Sequence, residues 1–185
     1  MMRNYMLTNS QDLVNNSEYV ASYVTYTSQD RDKHRINVEI VKTNPIASVV
    51  VLNERNELVV FPTFQPAVGK WFYEVPFRAF SNREHVLQVA EEIVKAQTDL
   101  NLEDSVLLTQ GLNHLNPKTD TNMQVVFGRV QTFLNTPSDE VRFVNLKEAY
   151  YRLKCQIKYN KPFMDDLYLG GLSSNALLLY KFVEE

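Results

Sequence analysis

The alternation of apolar and polar positions along the chain predicts a β-rich fold with three amphipathic helices. A polar segment, Thr8 to Ser17, reads as a loose lead-in. It precedes strand-like alternation across Tyr19-Val20-Ala21-Ser22-Tyr23-Val24-Thr25-Tyr26 and again through Ile36, Val38 and Ile40. The turn residues Ser28-Gln29-Asp30-Arg31-Asp32 join these two strands into an antiparallel hairpin. Asn44-Pro45 breaks the pattern before Ile46 to Leu52, whose near-continuous apolar character is that of a buried strand. The polar turn Asn53 to Glu57 leads into Leu58-Val59-Val60-Phe61, and Trp71 to Val75 forms the next strand.

Ser81 followed by Glu84 has capping-box spacing, which starts a helix from about Glu84 to Thr98. Ser105 to Leu108 and Met123 to Phe133 read as strands on either side of a polar loop, Asn113 to Asn122. A second helix is expected over Asn145 to Gln156 and a third over Ser173 to Phe182. No internal repeat or interdomain linker interrupts the chain.

Composition narrows the classes of function. With 185 residues, 44% hydrophobic and 22% charged, the chain suits one domain, or one domain with an N-terminal extension. A formal charge of -3 and no clustered Lys and Arg argue against a nucleic-acid partner. No apolar run approaches a membrane span or the core of a secretory signal, so a cytoplasmic protein is expected. Cys155 is the single cysteine, which rules out an intrachain disulfide. His34, His85 and His114 lack ligand spacing, and no glycine-rich phosphate cradle occurs near the Glu84–Thr98 helix.

The segment from Glu74-Val75-Pro76 to Leu100 resembles the Nudix box: Gly, five residues, Glu, seven residues, Arg-Glu-aliphatic, one residue, Glu-Glu, one residue, Gly-aliphatic. Laid on the chain from Arg78, this frame keeps Glu84, Val94 and Leu100. Its metal-ligand glutamates fall on Ile93, Ala96 and Gln97, its arginine on Glu92, and its second glycine on Asp99. Glutamates at those three positions would share one helical face and hold divalent cations against a diphosphate. Ile93 and Ala96 cannot ligate a cation, and Gln97 offers only a neutral amide. Neither neighbouring register restores a cluster. Shifting by one residue leaves Glu92, Lys95 and Ala96, and shifting by two leaves Glu91, Val94 and Lys95.

Other strings resemble the ADP-ribose pyrophosphatase branch of the Nudix superfamily. They are Ala47 to Val60, Gln65-Pro66-Ala67-Val68-Gly69-Lys70-Trp71, and Gly171 to Leu179. The resemblance implies an α/β (α+β) Nudix fold, a mixed β-sheet sandwiched between helices, with an N-terminal antiparallel β-hairpin extension. Residues 1–44 would form that extension and a dimerisation element, and residues 45–185 the Nudix-like domain. It also implies a homodimer.

The branch often carries Arg-Gln-Tyr-Arg where this chain has Pro62, Thr63, Phe64 and Gln65, so two cations that would meet a diphosphate are missing. Phe64 either stacks on a base or packs in a core or a dimer contact. Phe64, Glu74, Arg78 and Asn122 are the candidate ligand-binding residues. No catalytic residue, metal or cofactor is expected, and the protein reads as a non-hydrolytic module that binds a nucleotide-like molecule or a protein partner. The alternative is an Mg²⁺- or Mn²⁺-dependent hydrolase using Glu84, Glu92 and the Phe77 carbonyl, with Asp120 as base.

Two local expectations remain. Arg78 and Arg83 either bind an anion or belong to the solvated surface. The apolar sector Val86, Val89, Ala90, Ile93, Val94 and Ala96 needs a cover, with Phe77, Phe80, the 113–122 loop or an apolar ligand as candidates.

Overall fold

The computed structural model describes residues 5–15, 19–29, 33, 35–65, 68–81, 84–113, 119–120, 122–134 and 136–184. His34, Arg83 and His114, and parts of the predicted 28–32 turn and 113–122 loop, lie outside them. The chain folds into two compact units: residues 1–45 with 112–122, and residues 46–111 with 123–185.

The first unit is a four-stranded sheet in the order β1-β2-β3-β9. Its strands are β1 (Tyr5–Asn15), β2 (Tyr19–Ser28), β3 (Arg35–Thr43) and β9 (Thr119–Asp120). The predicted hairpin is β2 with β3, antiparallel from Tyr19↔Thr43 to Thr27↔Arg35. The lead-in segment proves to be a strand instead of a loose stretch, for a reason that lies outside its own residues. β2 offers β1 backbone partners along its length, with register shifts at Thr8 and Leu13, and Thr8 Oγ1 meets Thr27 Oγ1 at 2.9 Å while the Ser22 hydroxyl donates to Asp12 at 2.7 Å. Pairing therefore overrides a polar sequence with little β preference.

The second unit holds an eight-stranded mixed sheet whose main path runs β12-β6-β5-β4-β10-β8. Its central strand β4 (Ile46–Leu52) pairs in parallel with β10 (Asn122–Arg129), from Met123↔Ile46 to Arg129↔Leu52. β5 (Glu57–Gln65) and β6 (Lys70–Glu74) form an antiparallel hairpin. β8 (Glu103–Asn113) extends well past the predicted Ser105–Leu108, whereas β10 stops at Arg129, short of the expected Phe133. Three short strands had no sequence signal. β7 (Phe77–Ala79) pairs with β4, β11 (Arg142–Asn145) with β5, and β12 (Tyr168–Leu169) with β6.

The apolar run of β4 feeds two cores because successive side chains of a strand point to opposite faces. Ala47, Val49 and Val51 pack with Phe80, Val89, Ile93 and Val94 from α1 (Val86–Thr98). Val50 and Leu52 pack instead with Leu146, Ala149 and Leu153 of α2 (Leu146–Tyr159) and Ala176 and Leu177 of α3 (Gly171–Glu184). The sheet is thus covered on both sides, as expected.

Phe80 is the buried cover for the apolar sector of α1, and Phe77 is half-buried. Ala96, assigned to that sector from the sequence, is exposed. It flanks the stripe of exposed Gln88, Glu91, Lys95 and Asp99. Among the described residues, no helix is long and apolar enough to cross a membrane.

Candidate functional site

The segment that carries the box begins with a buried acid. Glu74 closes β6 with only 1% of its surface exposed. One carboxylate oxygen accepts from the Gln65 side-chain amide and the other from the hydroxyl of Ser173. Ser173 in turn accepts from the Val75 amide at 2.9 Å. Because Ser173 lies in the first turn of α3, the helix dipole favours a negative group at this point. Burial nevertheless pushes the Glu74 carboxyl above the ordinary carboxylate value, and the two donated bonds offset part of that rise. Gly170 lies so close that a Cβ there would overlap the carboxylate. The arrangement ties β6 to α3.

At the first position of the box, shortly after Glu74, Arg78 stands where the pattern has its first glycine. Its backbone is part of β7, with Ala47↔Arg78 in register, so the chain needs no left-handed residue at this point. The Arg78 Nη2 lies 2.8 Å from Glu92 Oε2 and 3.3 Å from Glu84 Oε1. One guanidinium nitrogen therefore bridges the two acids that the alternative reading would give to a metal.

Glu84 also accepts from the Ser81 amide at 2.6 Å. That bond, and then the Arg78 guanidinium, hold its carboxyl below the ordinary value. The expected capping box is therefore a turn that precedes the helix. The helix itself starts at Val86, not Glu84, and its N-cap, His85, makes no side-chain cap bond.

Gln97, the one polar residue at a lost ligand position, is also engaged. Its Oε1 accepts from the Phe77 amide at 3.1 Å, and its Nε2 donates to the Phe77 carbonyl at 2.9 Å. The side-chain amide thus pairs with the backbone of Phe77 as a neighbouring strand would, fixing β7 to α1. The Phe77 carbonyl, another candidate ligand, is the acceptor of that bond. Ile93 is 1% exposed in the core and Ala96 has no donor atom. The residues of this face do not fit a pair of divalent cations, because both carboxylates already share a cation and the remaining donor is neutral. Among the described residues there is no group of three His, Cys, Asp or Glu that could hold a metal ion.

The structure brings Arg78, Glu84, Glu92, Gln97 and Phe77 together, and it places Glu74 in a separate buried cluster. Phe64 is 46% exposed and packs on Trp71 at 5.6 Å between ring centroids, tilted by 57°. Asp120 lies in β9 opposite Lys42, and Asn122 opens β10 with a half-buried side chain. Both belong to the first unit, whereas Glu84 and Glu92 belong to the second. Sequence reasoning missed Gln65, Gly170 and Ser173 as partners of Glu74. Trp71, paired with Phe64 across the β5–β6 hairpin, is also left 54% exposed.

No protein-family model matches the chain, and no curated protein matches it by sequence. Among solved structures it is similar to one titled "Crystal structure of ADP compounds hydrolase". The two share 13% sequence identity and a TM-score of 0.73, over 99% of this chain and 95% of the other. Likeness at that identity concerns architecture alone. The chain has a Nudix-like fold, a mixed sheet between helices with an N-terminal antiparallel sheet.

Proposed function

We propose that this protein is a non-hydrolytic Nudix-fold module that binds a nucleotide-like molecule. The observation that carries the reading is the Arg78 bridge, 2.8 Å to Glu92 and 3.3 Å to Glu84. A Nudix-type hydrolase needs carboxylates whose charge is directed at cations on the diphosphate. Here the nearest acids face an internal guanidinium, and Gln97 is bonded at both ends to Phe77. The fold supports a nucleotide-like ligand through its likeness to a hydrolase of ADP compounds. In this reading the degenerate box is a scaffold element without a catalytic residue.

The same proposal includes a homodimer formed through residues 1–44. β1 is the outer strand of its sheet, and Met6, Leu7 and Leu13 along it are more than half exposed. An open strand edge that also exposes these three apolar side chains is a natural site for pairing with a second copy. Light scattering across a range of concentrations tests that part. A cytoplasmic location, with neither nucleic acid nor membrane as partner, completes the proposal and is consistent with the free thiol Cys155.

Calorimetric titration of Mg²⁺ and Mn²⁺, with and without ADP-ribose, tests the central claim while AMP release is followed. The expected result is no saturable metal binding and no AMP. Saturable binding with turnover would transfer the protein to the alternative, a metal-dependent hydrolase using Glu84, Glu92 and Asp120. Thermal shift with a nucleotide panel tests the ligand, because a molecule bound only by the folded state raises the unfolding temperature.

A further inference from the structure

We propose that the ligand site of this module is a cleft beside Trp71, and that it takes an amino-bearing planar heterocycle with an attached phosphate, as a purine mononucleotide provides. This rests on the nucleotide-binding reading above but moves the site away from the box. The cleft has a volume of about 530 Å³ and is walled by Lys70 and Trp71 of β6, Tyr168 of β12, Asn160 and Asp166. That size falls within the range of small-molecule sites.

The topology explains why the cleft is open. β12 pairs with β6 at only two positions, Tyr168↔Phe72 and Leu169↔Tyr73. The preceding residues of β6, Lys70 and Trp71, therefore extend past the end of the neighbouring strand. Trp71 is 54% exposed, an unusual state for an indole in a folded domain. Phe64, opposite it across the β5–β6 hairpin, packs against the indole ring and braces it. An aromatic face held in this way can stack on a base of any identity, because every base has a π-face.

The far wall is a two-residue hairpin turn, Asp165-Asp166, closed by Leu167 N–H to Met164 O at 2.8 Å and Met164 N–H to Leu167 O at 3.1 Å. Both central residues have left-handed backbone, φ 49° and 62°, where Asn-Gly is the favoured pair. Glycine at the second position would relax the turn, so the carboxylate is present at a conformational cost. Asp165 has a structural partner, because it accepts from the Tyr73 hydroxyl at 2.7 Å. Asp166 is exposed on the cleft wall with no such bond. The chemistry of the lining is therefore divided: an indole face for a flat ring, a carboxylate and an amide for its amino group, and the Lys70 ammonium for an anion.

Trp71 is the only tryptophan of the chain, so its fluorescence reports on this cleft directly. Titration of the full-length protein with AMP should quench it saturably. Lys70→Ala should weaken AMP binding by about tenfold, the loss of one charge-assisted contact, and leave adenosine unchanged. Asp166→Gly keeps the turn backbone and should weaken both. If AMP raises the unfolding temperature but leaves Trp71 emission unchanged, nucleotide binding survives and this cleft is overturned as its site. If AMP does neither, the cleft proposal is overturned, and the nucleotide-binding reading falls with it only when the rest of the nucleotide panel also leaves the unfolding temperature unchanged. Emission that shifts with protein concentration and not with AMP would make the Phe64–Trp71 surface a contact between copies, and would also overturn the proposal.

Discussion

One acidic cluster precedes the box and another lies within it, and they differ in what their charges can do. Glu74 is sealed between β6 and α3, where each oxygen has one donor and Gly170 leaves no room for adjustment. Glu84 and Glu92 lie on the surface with Arg78 between them, and all three side chains remain at least a third exposed. A buried carboxylate is expensive to desolvate and its partners are expensive to orphan, so it governs stability. An exposed triad is screened by water and contributes little to stability, and its two acids are turned toward Arg78. In this chain the acid that stabilises the fold and the acids that would bear on chemistry are different residues.

The largest effect that would break this contrast is removal of the buried acid. Glu74→Ala should cost about 3 kcal/mol in urea unfolding, because it leaves Gln65 and Ser173 without their acceptor and opens a cavity. Gly170→Ala should cost about 1–3 kcal/mol by overpacking the same carboxylate. A loss within experimental error for both would mean that the cluster does not hold α3 to the sheet.

The pH dependence comes next. The folded Glu74 carboxyl titrates above 4.5, its ordinary value, so between those two points the folded state keeps a proton that the unfolded chain has released. Its contribution to stability therefore grows as pH falls through that window and is lost as pH rises, at a limiting slope of about 1.4 kcal/mol per pH unit. Glu84 has the opposite sign: its folded value is lowered, so its contribution is present above 4.5 and disappears as the medium becomes acid. Glu74→Gln should remove the first trend from chemical-denaturation curves, leaving the decline on acidification in the carboxylate range.

Gln97→Ala should cost about 1 kcal/mol, since the Phe77 amide and carbonyl lose their shared partner. The smallest stability effect belongs to Arg78→Ala, expected within about 0.5 kcal/mol of the parent protein. That substitution nevertheless sharpens the comparison most. With the guanidinium gone, Glu84 and Glu92 should gain a weak, saturable affinity for Mn²⁺ that the parent lacks, measured by calorimetry. No ADP-ribose cleavage should accompany it, because Ile93, Ala96 and Gln97 supply no further anionic ligand.

Much of the core was legible in the chain. The apolar run Ile46–Leu52 implied a strand buried on both faces, and residues 47, 49 and 51 do separate from residues 50 and 52 into two cores. The helices were recognisable because their apolar positions repeat locally, which needs no knowledge of partners. The absence of acids at positions 93, 96 and 97 is likewise a property of the sequence alone. No fold can provide a carboxylate that is not encoded.

What the tertiary structure decided is everything that depends on a distant neighbour. β1 is a strand because β2 presents a row of partners, and β7, β11 and β12 are too short to carry a pattern of their own. Glu74 and Ser173 are 99 positions apart, and only the packing of α3 against β6 turns an ordinary Glu-Val-Pro string into a buried acid with two donors. Arg78 could have faced solvent or an anion. Its position on β7, opposite the start of α1, puts its guanidinium between two carboxylates instead. Hydrophobic periodicity is written in consecutive residues, whereas desolvation and charge pairing depend on which surfaces meet, and those are set by the packing of the whole unit.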